Sequence, residues 1–278
     1  MEISENPQLL DRCQRRLVQA WIARIRATEA GVGDRFGFVI AQREPTTFLF
    51  ADRWPQNPGQ IPFDRVFNYV APVSEDRDPI LQQVVEAKRD VVIEVLPGPQ
   101  RAHSEAVLRA YGYTPRWQIP WLQIDLARRV PALPASHSIQ PVAADAWPSF
   151  GALYVAAYGY TGAAAAAWQT LAEHGYRGND FHCFVAAVDQ TAAAFGVMFC
   201  QGPIALVDGA ATLPQQRGLG LQKSLLDARL HAAQARGCTH AFSRTGLGSI
   251  SQHNLEQLGL HTFVQSTAWR RDETVARG

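Results

Sequence analysis

The sequence predicts an α/β protein: mixed sheets flanked by helices, in two domains of similar size. Three observations predict it. Strand-like and helix-like segments alternate along the 278 residues, and that length suits two ordinary domains. A basic, proline-bearing stretch, Arg128-Arg129-Val130-Pro131-Ala132-Leu133-Pro134, interrupts the alternation near the middle. The order of elements before that stretch repeats, in a worn form, the order near the C-terminus. The division is residues 1–127, a linker at 128–137, and residues 138–278.

In the first half, residues 66–70 resemble a strand, and residues 80–88 a helix with Ile80, Val84 and Ala87 on one face. Residues 91–95 are a strand of β-branched type, Pro97-Gly98 turns the chain, and residues 104–111 form a helix that Gly112 ends. Residues 121–126 alternate apolar and polar as a strand does. After the linker, residues 138–142 are a strand, and Asp145 is the expected cap of a helix running to about residue 157. The alanine-rich residues 163–174 favour a second helix. Residues 183–187 and 193–200 read as an antiparallel hairpin around Asp189-Gln190, and residues 204–213 as another strand. Residues 221–236 are a strong helix, with Leu221, Leu225, Ala228 and Ala232 on one face and Gly237 at its end. A strand at 239–245, a helix at 251–258 stopped by Gly259, and a strand at 262–269 complete the pattern. Ser104 to Gly112-Tyr113 and Ser251 to Gly259-Leu260 keep the same serine-to-glycine spacing, which favours duplication.

Composition narrows the function classes. A net charge of +1 provides no bulk attraction to nucleic acid or acidic membranes. Arg128-Arg129 and Arg270-Arg271 are expected to be a solvated linker and tail. Cys13, Cys183, Cys200 and Cys238 are far apart, without metal-ligand rhythm, so reduced buried thiols are expected and no metal. The N-terminus has no apolar core region, and no apolar run is long enough for a bilayer; a cytoplasmic protein is expected.

The informative segment is Ala211-Thr-Leu213-Pro214-Gln-Gln-Arg217-Gly218-Leu219-Gly220-Leu221-Gln222, between a strand and the strong helix. Its glycines let the backbone turn sharply beside a ligand. The first N–H groups of the helix lack internal partners and, with the helix dipole, suit an anion such as a pyrophosphate. Arg217 adds a donor. On the two glycines alone a plain strand-to-helix turn is an equal reading. The pattern is neither a P-loop nor a dinucleotide fingerprint.

This segment resembles the acyl-CoA loop of the GNAT acetyltransferase superfamily, Gln/Arg-x-x-Gly-x-Gly/Ala. One register matches Arg217 and Gly220, with Gln222 where glycine or alanine is usual; another matches Gln215, Gly218 and Gly220. Downstream, Ser251-Gln-His-Asn254 followed by Leu258-Gly259-Leu260 resembles the superfamily's last helix and Leu-Gly-Phe segment, with Leu260 replacing the aromatic residue. The resemblance covers residues 136–271 in element order. It implies two tandem GNAT-like domains, each a mostly antiparallel twisted sheet flanked by helices, and leaves room for a homodimer.

It also implies an acetyl-CoA-dependent N-acetyltransferase whose acceptor is a small-molecule amine. The strand before the loop would splay from the next one and pair with the pantetheine arm. Ala211, Leu213, Arg217, Gly218, Leu219, Gly220, Leu221, Gln222 and Asn254 would bind the coenzyme. Many relatives carry a tyrosine acid in the last helix; here that position is Leu255. Ser251 is a candidate catalytic residue, against helix-start capping as the plainer reading, and Asp208 is a candidate base in an otherwise apolar run. Tyr158, Tyr160, His174 and Asp180 come from segments that shape the acceptor pocket in the superfamily, although ordinary packing accounts for each. The first half has no such loop: Pro72 to Pro79 carries no glycine and three acids, which would repel a pyrophosphate. It reads as a coenzyme-free GNAT-like domain. Rival readings are a non-catalytic acyl-CoA-binding or regulatory module, and an acetyltransferase for protein or peptide amines.

Overall fold

A computed structural model describes residues 7–43, 46–55, 69–73, 91–99, 101–129 and 137–271. The expected helix at 80–88 and most of the acidic segment at 72–79 lie outside these residues. So does most of the linker. The first element is a helix that the sequence reading did not find, α1 (Pro7–Val32), with Leu9, Cys13, Leu17, Trp21, Arg24, Ile25 and Thr28 buried along one stripe. Strands β1 (Phe38–Arg43) and β2 (Thr46–Ala51) follow as an antiparallel pair, also unexpected. Then come β3 (Tyr69–Val73), β4 (Val92–Val95), helix α2 (Arg101–Ala110) and the long strand β5 (Tyr113–Asp125).

The second half holds β6 (Ser138–Pro141), α3 (Trp147–Tyr158), α4 (Gly162–Gly175), β7 (Phe181–Val188), β8 (Thr191–Gln201) and β9 (Ile204–Thr212). It closes with α5 (Leu221–Ala235), β10 (His240–Arg244), α6 (Ile250–Gln257) and β11 (His261–Arg271). These elements match the expected series. Two details differ. The N-cap of α3 is Ala146 and not Asp145, with no side-chain cap. The buried stripe of α5 is Leu221, Leu225, Leu226, Arg229, Leu230 and Ala233; Ala228 and Ala232 are half-buried. The hairpin turn at Asp189 and Gln190 has φ of 47° and 64°, both left-handed, which matches the twist of its strands.

All described strands form one sheet, in the order β1-β2-β3-β4-β11-β5-β10-β9-β8-β7-β6. The order has a near-symmetry. In the first half β3 runs parallel to β4, and in the second β9 runs parallel to β10. Each pair is followed by a helix ending at a left-handed glycine, Gly112 (φ 77°) or Gly259 (φ 88°). Each half's last strand then crosses into the other half: β11 lies between β4 and β5, and β5 between β11 and β10. The repeat read in the sequence therefore corresponds to a repeat in topology, but the halves share their central strands.

Helix α1, about 39 Å long at 1.5 Å per residue, lies across this sheet in the same hydrophobic cluster as α3 and α4. It approaches α4 closely. A Cβ on Gly175 would stand 2.8 Å from Arg24 Cγ, and one on Gly31 would stand 2.2 Å from His174 Nδ1. Helices α5 and α6 share a second cluster with Leu122, Ile124, Met198 and Val207. At the junction of the halves Glu94 of β4 is fully buried, ion-paired with Arg244 of β10 and hydrogen-bonded by Trp121 Nε1 at 3.0 Å and by the Ser266 hydroxyl. The Arg244 guanidinium lies 4.9 Å from the Trp121 ring centre and 5.5 Å from that of Trp21.

The basic pairs are not a free linker and tail. Arg129 is buried against Asp227 of α5, and only Arg128 projects into solvent. Arg270 and Arg271 belong to β11, and Arg271 Nε donates to Tyr111 O at 3.3 Å. The four cysteines are free and buried. Among the described residues no helix is long and apolar enough to cross a membrane, and no cluster could hold a metal ion.

Candidate active site

The site begins with strand β9. It pairs with β10 over only three residues, Ile204, Ala205 and Leu206 opposite His240, Ala241 and Phe242. The Ser243 hydroxyl bonds Val207 O at 2.8 Å, and from there the two strands part. Beyond this point β9 keeps its β8 neighbour as far as Thr212, so its other edge is without a strand partner among the described residues. Asp208, Gly209, Ala210 and Ala211 on that stretch are half-buried.

A bulge sits where the strands part. Gly196 pairs with Ala210 and Val197 with Asp208, which leaves Gly209 as the extra residue. The carbonyls beside it turn inward onto Arg229 of α5, whose Nη1 donates to Val197 O at 3.1 Å and Asp208 O at 2.8 Å. Its Nε donates to Leu225 O at 3.1 Å. Burial lowers the Arg229 pKa to about 10, against the opposing charge of Asp208. Gly196 makes room for it: a Cβ there would stand 2.7 Å from Arg229 Nε. The sequence reading missed Arg229. Its signal was spacing, since Arg229 follows Leu221 and Leu225 at intervals of four on the inward face.

Asp208 shares a face of β9 with Ile204 and Leu206, which pack in the cluster under α1, α3 and α4. On that side Arg24 of α1 donates from Nη1 to the Tyr176 hydroxyl at 2.9 Å. Burial opposes the Arg24 charge, but Tyr176 and Asp208 hold its pKa above the ordinary arginine value. An element of the first half therefore forms a wall of the second half's site. Tyr158, at the end of α3, packs edge-on to Tyr154 with ring centres 4.9 Å apart, and Tyr160 stacks on Trp168 at 5.2 Å. His174 and Asp180 lie elsewhere: His174 lies against Gly31, and Asp180 accepts from Gln201 at 3.4 Å.

The glycine loop follows. A single turn of 3₁₀ helix at Pro214–Gln216 leads to Gly218 (φ 84°) and Gly220 (φ 77°), the N-cap of α5. The first internal bond at the start of α5 is Ser224 N to Gly220 O at 3.2 Å. The amides of Gly218, Leu219, Gly220, Leu221, Gln222 and Lys223 thus have no acceptor among the described residues. Both glycines have open space where a Cβ would stand. Arg217 Nε donates to Thr212 O at 3.4 Å, and Gln222 Nε2 to Thr212 Oγ1 at 2.9 Å, so both side chains fold back onto the strand end. Ala211 and Leu213 complete the edge, and Leu221 offers only its backbone, its side chain being buried. An anion cradle with an open strand edge leading into it suits a ligand made of a pyrophosphate and an extended, amide-bearing arm.

Helix α6 contributes less. Its N-cap is Ser249, whose hydroxyl accepts from Gln252 N at 3.1 Å, so capping does not fall to Ser251. Ser251 is exposed and Asn254 half-buried. Leu255 is buried in the cluster with Leu226 and Leu230, on the far side of the sheet from Tyr158.

Solved structures share this fold. A GCN5-related N-acetyltransferase from Kribbella flavida superposes with a TM-score of 0.58 at 19% identity, over 91% of this chain and 95% of that one. A conserved protein of unknown function from Staphylococcus epidermidis ATCC 12228 gives 0.59 at 10% identity, over 88% and 97%. A tandem GNAT protein from the clavulanic acid biosynthesis pathway gives 0.51 at 15% identity, over 84% and 77%. No protein-family model matches the chain, and no curated protein does. At these identities the likeness establishes the fold, a tandem form of the GNAT acetyltransferase fold.

Proposed function

We propose that this chain, which has the GNAT fold in tandem form, is an acetyl-CoA-dependent N-acetyltransferase acting on a small-molecule amine. The observation that carries the reading is the edge of β9, open among the described residues, running directly into six amides without acceptors among those residues at the start of α5. Acetyl-CoA would supply the activated acyl group. The amides from Gly218 to Lys223 would hold its pyrophosphate, with the dipole of α5 behind them. The backbone of Asp208 to Thr212 would pair with the arm, with Arg217 and Asn254 flanking it. Asp208 would take the proton of the attacking nitrogen. Ser251, exposed and free of the cap, would at most position the coenzyme. The first half serves as a coenzyme-free partner, and α1 helps to wall the acceptor side. Four reduced thiols fit a cytoplasmic setting.

Calorimetry tests the binding step. Gly220→Val should abolish acetyl-CoA binding while the circular dichroism spectrum stays native, because a β-branched residue is strained at φ 77° and would fill the cradle. Unchanged affinity in the folded variant would refute the assignment. Arg217→Ala should weaken binding by about 1–2 kcal/mol. A second reading, a non-catalytic acyl-CoA-binding module, is favoured by Leu255, a buried aliphatic residue at the position where many relatives carry a tyrosine acid. Thiol release from acetyl-CoA, with and without small amines or peptides, separates the two and sorts small-molecule from peptide acceptors.

A further inference from the structure

The acetyl-CoA reading leaves the departing sulfur without a tyrosine on α6, and the opposite face of the sheet provides one. The Tyr158 hydroxyl lies 3.7 Å from the point a Gly209 Cβ would occupy, directly over the bulge where β9 parts from β10. Its ring is one of the few large apolar side chains exposed among the described residues, at 38%. Edge contacts to Tyr154 at 4.9 Å and Phe195 at 5.6 Å hold it in place. The hydroxyl makes no hydrogen bond among the described residues, whereas that of neighbouring Tyr176 is held by Arg24. Tyr158 is thus a placed donor without an acceptor.

The distance along β9 agrees. From Leu213, at the mouth of the anion cradle, back to Gly209 is four residues, roughly 13 Å of strand. An extended pantetheine arm with its two amides covers about that span, which brings its sulfur level with the bulge. We infer that the Tyr158 hydroxyl donates the proton to the departing coenzyme sulfur, a role that rests on the acetyl-CoA reading above. In the step, the amine nitrogen bonds to the acyl carbon. The carbon–sulfur bond breaks with its electron pair on sulfur, and sulfur takes the Tyr158 proton. The proton shed by nitrogen passes through Asp208 to solvent, and solvent returns one to the phenolate.

The surroundings suit a donor and not a base. Desolvation, then Tyr176 and Asp208, push the Tyr158 pKa well up, while Arg229 and Arg24 oppose them. Tyr154 and Tyr160 are the remaining titratable neighbours. The group therefore keeps its proton at neutral pH.

The test needs no knowledge of the acceptor. Coenzyme A and its desulfo analogue are titrated by calorimetry into the wild type and Tyr158→Phe at pH 7 and pH 9.5. Phenylalanine preserves the ring packing and removes only the unpaired hydroxyl. At pH 9.5, where a substantial fraction of the coenzyme thiol is thiolate, the variant should bind coenzyme A about tenfold more weakly, with desulfo-coenzyme A unchanged. Once an acceptor is found, kcat should fall about a hundredfold at constant KM for acetyl-CoA. Equal losses for both ligands, or none for either, would overturn the inference and leave the binding reading intact. Failure of the wild type to bind either ligand would remove the acetyl-CoA reading and this inference with it.

Discussion

A guanidinium inside a sheet must find oxygen atoms to face, and Arg229 finds them at a bulge. The carbonyls of Val197 and Asp208, which regular pairing would use differently, accept from it, and Gly196 yields the space. Gly196→Ala should therefore cost about 2 kcal/mol in chemical denaturation, by pushing the guanidinium off its acceptors. Arg229→Leu keeps the bulk and removes the donors, and should cost about 3 kcal/mol. His182 gives a pH dependence. Burial first, then the charge of Arg236, lower its pKa below the ordinary histidine value. Between the folded value and 6.5 the unfolded chain binds more protons, so stability rises with pH through that window and is lost as pH falls. Melting temperature should drop from pH 7 to pH 5, and His182→Gln should flatten the slope. Asp208 and the glycine loop were legible in the sequence because a charge in an apolar run and closely spaced glycines are local signals. Arg229, Arg24 and Gly196 were not, since their meaning depends on partners 21 to 152 residues away.

At the scale of elements, the second half was legible because each of its strands and helices carries its own punctuation. Asp189-Gln190 turns β7 into β8, Gly220 caps α5, and Gly237 and Gly259 end helices. The hairpin turn places two ordinary residues at positive φ, which costs stability that glycine would recover. Gln190→Gly should raise the unfolding free energy by about 1 kcal/mol, read as a shift in denaturant midpoint with unchanged slope. The first half was less legible. Helix α1 buries Cys13, Arg24 and Thr28 in its inward stripe, so its apolar period is diluted by polar residues that only neighbouring elements make sense of. The register of the coenzyme loop stayed double for a similar reason. Gly218 and Gly220 are both left-handed, while Gln222 is occupied with Thr212, and no single letter separates the alternatives.

At the scale of the molecule, the halves cannot be parted cleanly. The Glu94–Arg244 pair links β4 to β10 across the two exchanged strands, and Trp121 and Ser266 of those strands bond the same carboxylate. Arg244→Ala would strand a fully buried carboxylate, with an expected cost of about 3–5 kcal/mol. The loss should appear as one cooperative transition monitored by tryptophan fluorescence and circular dichroism together, because both halves unfold around that junction. Binding should nonetheless be asymmetric. Titration with acetyl-CoA should give one site per chain, because the sequence from Pro72 to Pro79 carries three acids and no glycine, a composition that would repel a pyrophosphate. A stoichiometry of two would refute that asymmetry.

The exchange of β5 and β11 also sets an order of events at the ribosome. Strands β4 and β5 emerge well before β11, which must later slip between them and pair with both. Until β11 (His261–Arg271) clears the exit tunnel, the nascent first half holds β4 and β5 with facing edges unsatisfied, and these are sites for pairing with the wrong chain. A premature stop just before residue 261 would leave that vacancy permanently, so truncated products should be caught by chaperones or aggregate while the full-length chain stays dispersed.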